Sequence, residues 1–356
     1  MKKVCAGFVL LVFVTGCQGE MKPTSFASEP IKGEKIHFID SEGDGQLEVI
    51  GWLDDHTLLY LLSEDDSFEL HTHDIFTGDA ELFYSEDRTF YSLDINKDQS
   101  LFALQTLDDQ DQAELTFLDS DGEIELKSEV KADEYTIYWS PYEVAECMVI
   151  AFLPEWTQEV YHVSVDRDVI NRTSIPSSYI QWNSSDSVSY LDWAIIPEIE
   201  APLKQYQLSS NDVSDWYGTA LFFANLFEDR SLLVKYEQIH ANEILYEFTD
   251  GKEKLAAITI PVLNTFSEQW WITSFAFDGA NDLFYYLRPH FSADYVSYKD
   301  GFELLSYNLK DDTYTHLGQM DTQDPLLIST DGQWLLTGHS KQKLVDTTDG
   351  TVFTLF

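Results

Sequence analysis

Beyond residue 45 the chain is a succession of short apolar runs separated by turn residues, with little helical periodicity. Two units recur. The first is a turn followed by a buried strand, at residues 52–61, 95–104, 227–236 and 329–338, with weaker copies starting near Trp139, Trp182 and Phe277. The second is an alternating strand closed by a tight turn. Ile244, Tyr246 and Phe248 alternate before Asp250-Gly251, Leu305, Tyr307 and Leu309 before Asp311-Asp312, and Tyr161, Val163 and Val165 before Asp166-Arg167. Period-two alternation ending in such turns marks β-hairpins. The hairpin turns fall at Gly78, Gly122, Arg167, Asn211, Gly251, Asp311 and Gly350, about 45 residues apart on average, the spacing of four-stranded propeller blades.

The pattern therefore predicts an all-β chain folded as a single β-propeller over residues 46–356. One blade cannot bury both of its faces, so the blades must stack around an axis. A β-sandwich or barrel is the alternative, but such folds do not usually hold one interval through six steps. Seven repeats are counted. Six stays open, because the fourth repeat (187–217) contains Pro197 and Pro202, and proline demotes a central strand. The step from Gly251 to Asp311 is longer than the others. Its surplus is expected to form a loop holding Trp270, Trp271, Arg288 and His290, the side chains nominated for ligand binding. Long loops on a rigid scaffold are where binding residues collect.

Composition supports a folded sheet: 44% of residues are apolar and 14% aromatic. Charge changes the picture more. There are 63 acidic against 21 basic residues, a net charge of −42. Phosphate recognition needs clustered cations, so nucleic acid is excluded as a partner. Docking onto anionic lipid by charge is disfavoured as well. A solvated acidic surface explains the excess; recruitment of cations or of a basic partner is the sharper alternative.

The first residues read as an address. Lys2 and Lys3 precede an apolar stretch from Val4 to Val14, too short to span a bilayer comfortably and suited to a signal peptide. Val14-Thr15-Gly16-Cys17 follows directly. This resembles the lipobox of bacterial lipoproteins, in which the cysteine sulfur receives diacylglycerol and the leader is cut before it. The resemblance implies a leader at 1–16, lipidation of Cys17, a flexible tether within 17–45, and a place on the extracytoplasmic face of the cell membrane. Residues 18–34 are polar and hold two prolines, as a tether requires. With Cys5 in the leader and Cys17 acylated, Cys147 is alone in an apolar run and is expected to be a buried, inert thiol.

The segment Ser329-Thr-Asp-Gly-Gln-Trp-Leu-Leu is similar to the blade-turn repeat of TolB-like propellers, which carries fold and not activity. Lipobox, short tether and one propeller together resemble the YqgU-like propeller lipoproteins of Bacillus-type bacteria. That family is described as six-bladed and has no settled biochemical role.

Chemical signals are weak. His71 and His73 share a strand face and could be paired metal ligands, but no third ligand has suggestive spacing, and a surface strand is the better reading. Residues 94–100 begin like a calcium loop yet lack its central glycine and distal glutamate, and they coincide with a blade turn. Residues 119–123 read first as a hairpin turn. Residues 329–334 resemble the Asp-box of sialidase propellers but are one residue short. No nucleophile elbow, phosphate loop or Cys-x-x-Cys is present. No metal and no cofactor is predicted, and catalysis is not the favoured reading. The expectation is a monomeric binding or scaffold module for a cell-wall or envelope protein ligand. An envelope hydrolase or lyase using carboxylates of the propeller channel is the alternative.

Overall fold

The computed structural model describes residues 35–40, 45–64, 66–193, 199–236, 242–264 and 271–356; Cys17 and Trp270 lie outside them. Among the described residues the chain forms seven four-stranded antiparallel sheets, spanning 46–86, 89–127, 134–172, 181–220, 222–261, 275–320 and 327–354. In each sheet the strands lie side by side in chain order. These are seven propeller blades, numbered here 1 to 7. One face of the ring carries the first-to-second and third-to-fourth strand turns. The other carries the second-to-third connections and the links between blades.

All seven expected hairpin turns join a third strand to a fourth. Each contains one residue in the left-handed region: Gly78, Gly122, Asp168, Asn211, Gly251, Asp312 and Gly350, with φ between 52° and 78°. Only Gly, Asn and Asp visit that region routinely, which is why these turns could be read. In blades 3 and 6 the left-handed residue is one position beyond the expected Arg167 and Asp311. Asp or Asn at the start closes several of these loops: Asp119 Oδ1 accepts from the amides of Asp121 and Glu123, both at 2.9 Å.

Blade 4 is complete despite its prolines. Pro202 sits at the start of the strand Ala201–Gln207, where the register shifts between Pro202 and Lys204. A bulge absorbs the missing donor. Pro197 lies outside the described residues.

Among the described residues no strand from one chain end completes the blade at the other, and the ring closes there without strand exchange. Residues 35–40, placed within the tether by the sequence, instead form a strap across the junction of blades 1 and 7. His37 N donates to Ile75 O at 2.8 Å and Ile39 N to Leu355 O at 2.8 Å. Ile36 and Ile39 are buried against Val49, Trp52, Leu336, Leu344 and Leu355. The compact unit begins at Lys35, eleven residues before the expected start at residue 46. These residues look like tether because the apolar positions are few and a polar stretch precedes them.

Candidate functional site

The extended connection of blade 6 is an ordered excursion between the strands Leu283–Pro289 and Phe302–Asn308. It is fastened to blade 5 by a short parallel bridge pairing Leu263–Asn264 with Ala293–Asp294. Ser292 Oγ donates to Val262 O at 2.7 Å and Tyr295 N to Asn264 O at 2.9 Å. The buried Tyr298 hydroxyl accepts from His290 N at 2.9 Å and donates to Gly301 O at 2.7 Å. The sequence candidates are not gathered into one pocket. Trp271 is buried in the core and its indole donates to Gln323 Oε1. Arg288 pairs across the sheet with Glu303 at 3.3 Å. His290 is exposed on the loop.

What the loop displays is apolar. Phe291, Tyr295 and Val296 are 50%, 45% and 64% exposed. The corresponding connections of two other blades do the same. Blade 4 exposes Trp193 and Ile199. Blade 3 ends its second-to-third hairpin in Pro154-Glu155-Trp156, and Trp156 is fully exposed at 103%. Glu155 and Trp156 have φ of 64° and 61°, two consecutive left-handed residues that are not glycine. Each costs roughly 1–2 kcal/mol. The sequence gives no warning of this rim, because its members sit in loops without periodicity.

The same face is acidic on its other side. A cleft of about 560 Å³ at blade 1 is lined by Asp40, Glu64, Glu69, Glu86 and Asp87. The blade 2 connection carries Asp108, Asp109 and Asp111. Nearby side chains hold some of these carboxylates: the Arg88 guanidinium lies 3.2 Å from Glu86, and His71 Nε2 lies 2.8 Å from Glu69.

The remaining sequence candidates are structural. His71 stacks on Tyr60 at 5.4 Å, whereas His73 is buried, not on the surface as expected, with Nε2 3.0 Å from His37 O. Residues 94–100 form a blade turn in which Asn96 Oδ1 accepts from the amides of Ser100 and Leu101. Cys147 is free and fully buried, and burial pushes its thiol well above the ordinary range.

Towards the axis, rings connect the inner strands of successive blades. Tyr138 meets Tyr179 at 6.0 Å, Tyr179 meets Phe222 at 5.2 Å, and Phe222 meets Phe275 at 6.2 Å. Asp94, on the first strand of blade 2, has its carboxyl raised to about 6, with burial the one cause. A raised native pKa means that folding favours the neutral acid. The resulting stability is complete below about pH 4 and fades as pH rises through 6, a difference of roughly 3 kcal/mol. Asp94→Asn is thus expected to stabilise the chain by about 2 kcal/mol at pH 8 and by little at pH 4. Urea unfolding at the two pH values measures this; an equal change at both would refute it.

Comparison with known proteins agrees with the architecture. The chain is 25% identical over 352 residues to the uncharacterized lipoprotein YqgU of Bacillus subtilis, covering 97% of this chain and 94% of that one. The crystal structure of the uncharacterized protein lmo1340 from Listeria monocytogenes superposes with a TM-score of 0.80 at 16% identity, over 90% of this chain and 98% of that one. The β-propeller domain of the Trilobed protease from Pyrococcus furiosus, which has an open velcro topology, superposes with a TM-score of 0.57 at 11% identity, over 88% and 98% of the two chains. At these identities the two structures share the fold alone. Residues 74–338 match the model of the YqgU-like 6-bladed beta propeller domain, and the chain belongs to that family.

Proposed function

We propose that this chain is a binding module held by diacylglycerol on Cys17 at the outer face of the cytoplasmic membrane, and that its apolar rim takes a cationic protein segment bearing apolar anchors. The carrying observation is Trp156, fully exposed on two left-handed residues. A large apolar ring in water and a strained turn both cost stability, and burial against a partner would offset the first. Charge selects the partner. A net charge of −42 opposes pairing with a second copy or with anionic lipid, and the acidic cleft on the other side of the same face favours a basic surface. Lys35, where the compact unit begins, lies by the third-to-fourth strand turn of blade 1, on the face opposite the rim. The name lipoprotein given to the Bacillus subtilis relative supports acylation of Cys17.

Hydrolysis by a carboxylate pair has less support. Burial alone displaces the Asp94 carboxyl. Asp55, raised by burial and then by the carboxylates of Asp331 and Asp54, stands exposed in a blade turn, whereas such chemistry uses a pair flanking a bound sugar.

The test compares the parent chain, Cys17→Ser, and the triple substitution Trp156→Ser, Phe291→Ser, Tyr295→Ser. Fatty-acid labelling should mark the parent and not Cys17→Ser; a labelled Cys17→Ser chain would end the anchoring claim. A synthetic amphipathic peptide of Lys and Leu should bind the mature parent at low salt. The triple variant should bind it about tenfold more weakly at an unchanged melting temperature. Peptide affinity indifferent to the rim, or rim-dependent binding of anionic vesicles in its place, would overturn the docking claim.

A further inference from the structure

The opposite face of the ring holds a second feature of different chemistry. Between blades 4 and 5 a cleft of about 320 Å³ opens among the first-to-second and third-to-fourth strand turns, at the small end of sites that take small molecules. Eight of its fifteen lining residues are Asn, Gln, Ser or Thr. Lys252 is the single cation among them, and Glu228 and Asp229 stand exposed at the mouth. We infer that this cleft binds a neutral sugar unit, and the reading does not depend on the rim.

The walls are prearranged. Asn225, at the end of the first strand of blade 5, donates through Nδ2 to Asn183 Oδ1 of blade 4 at 3.1 Å and accepts from Ser231 Oγ at 3.0 Å. Ser189 Oγ also donates to Asn183 Oδ1, at 2.9 Å. The amide orientation of Asn183 is thereby fixed, and its Nδ2 is buried without a partner. An amide donor left unpaired costs about 1–3 kcal/mol, and with almost no accessible surface it could meet a ligand oxygen only if the wall moved. Gln205 Nε2 donates to Ser187 Oγ at 2.9 Å, which leaves Gln205 Oε1 to accept from a ligand hydroxyl. Such side chains offer both donors and acceptors, as the hydroxyls of a sugar require, whereas a phosphate or carboxylate would meet too few cations and two carboxylates at the entrance.

Two aromatic residues complete the set. Trp216, on the fourth strand of blade 4, is half-buried in the cleft wall, and Tyr142, from the first turn of blade 3, is 41% exposed at its edge. An indole face packs well against the C–H face of a sugar ring, and Trp and Tyr combine apolar area with a polar handle. The walls come from consecutive blades about 40 residues apart in sequence, so only the stacking of one blade on the next assembles them.

The experiment uses the full mature chain in a non-glycosidic detergent. Tryptophan fluorescence and saturation-transfer NMR would follow titration with maltose, trehalose and the disaccharide of N-acetylglucosamine, with galacturonate and glucose 6-phosphate as charged counterparts. At least one neutral disaccharide should bind saturably. Trp216→Ala and Gln205→Ala should each weaken it by about tenfold with unchanged melting temperatures, and the triple rim variant should bind as the parent does. If either cleft variant melts early, Trp216→Leu and Gln205→Met replace them. The inference is overturned if no neutral disaccharide binds, if the charged sugars bind better, or if the cleft variants bind like the parent.

Discussion

Replacing Ile36 and Ile39 together by alanine is expected to remove roughly 5 kcal/mol of unfolding free energy and to loosen the ring at one seam. Both side chains are 4% exposed, in a cluster with residues of blades 1 and 7. Truncating a buried isoleucine to alanine costs about 2–5 kcal/mol, and these two act on one junction. Direct packing of blade 1 on blade 7 would remain, with Phe76 on Trp334 at 6.0 Å and Trp52 in one cluster with Leu336 and Leu344, beside few polar contacts. Val49 N donates to Ser340 O at 3.1 Å, and Trp52 Nε1 to Leu327 O at 3.2 Å. The pair Lys341–Glu48, at 2.8 Å, has a glutamate 43% exposed and is worth little in water. Among the described residues no strand crosses the seam, and the strap adds buried apolar contact to both blades there. Amide hydrogen exchange should quicken at Val49 and Leu355 first, while Leu232 in blade 5 keeps its protection. Uniform quickening around the ring, or a loss below about 1 kcal/mol by urea unfolding, would remove the strap from this role.

The architecture was legible for a stereochemical reason. Left-handed turn residues are most often Gly, Asn or Asp, and seven such third-to-fourth strand turns, about 45 residues apart on average, announce themselves as Gly78 and Gly122 do. The blade count follows from them. The matched family span, 74–338, holds blades 2 to 6 whole and only parts of blades 1 and 7. Those two blades are the ones that meet at the seam, so seven observed blades and a six-bladed family description differ where the match runs out.

The sites were less legible, because each depends on something a linear pattern does not encode. Trp271 read as a ligand contact from its company, yet it fills the core. Trp156 drew no attention in a three-residue loop, and only its exposure and its φ of 61° set it apart. Asn183 and Asn225 are ordinary polar residues until the ring brings two blades together. Apolar loop residues on blades 3, 4 and 6 form a rim only because every second-to-third connection points to one face. Asp282 and Arg230, 52 residues apart, became partners in the same way.

Asp282→Asn is expected to cost about 3 kcal/mol, nearly as much as removing the side chain altogether. Asp282 is 1% exposed, in the first turn of blade 6. Its carboxylate meets Arg230 of blade 5, at 3.2 Å through Nη2 and closer through Nε, and it also meets Lys310. The backbone at Asp282 is left-handed, with φ of 54°. Asn tolerates that conformation, so this substitution isolates the charge from the turn. Lys310 is 59% exposed and can turn to solvent, but the Arg230 side chain is only 19% exposed and would stay beside a neutral amide. The cost lies in stranding that guanidinium, not in the strength of the pair. It follows that Arg230→Met combined with Asp282→Asn should regain most of the loss, because neither partner is then left unpaired. Urea unfolding of the two single variants and the double completes the cycle. Strict additivity of the two single effects would mean that the ion pair does not couple blades 5 and 6.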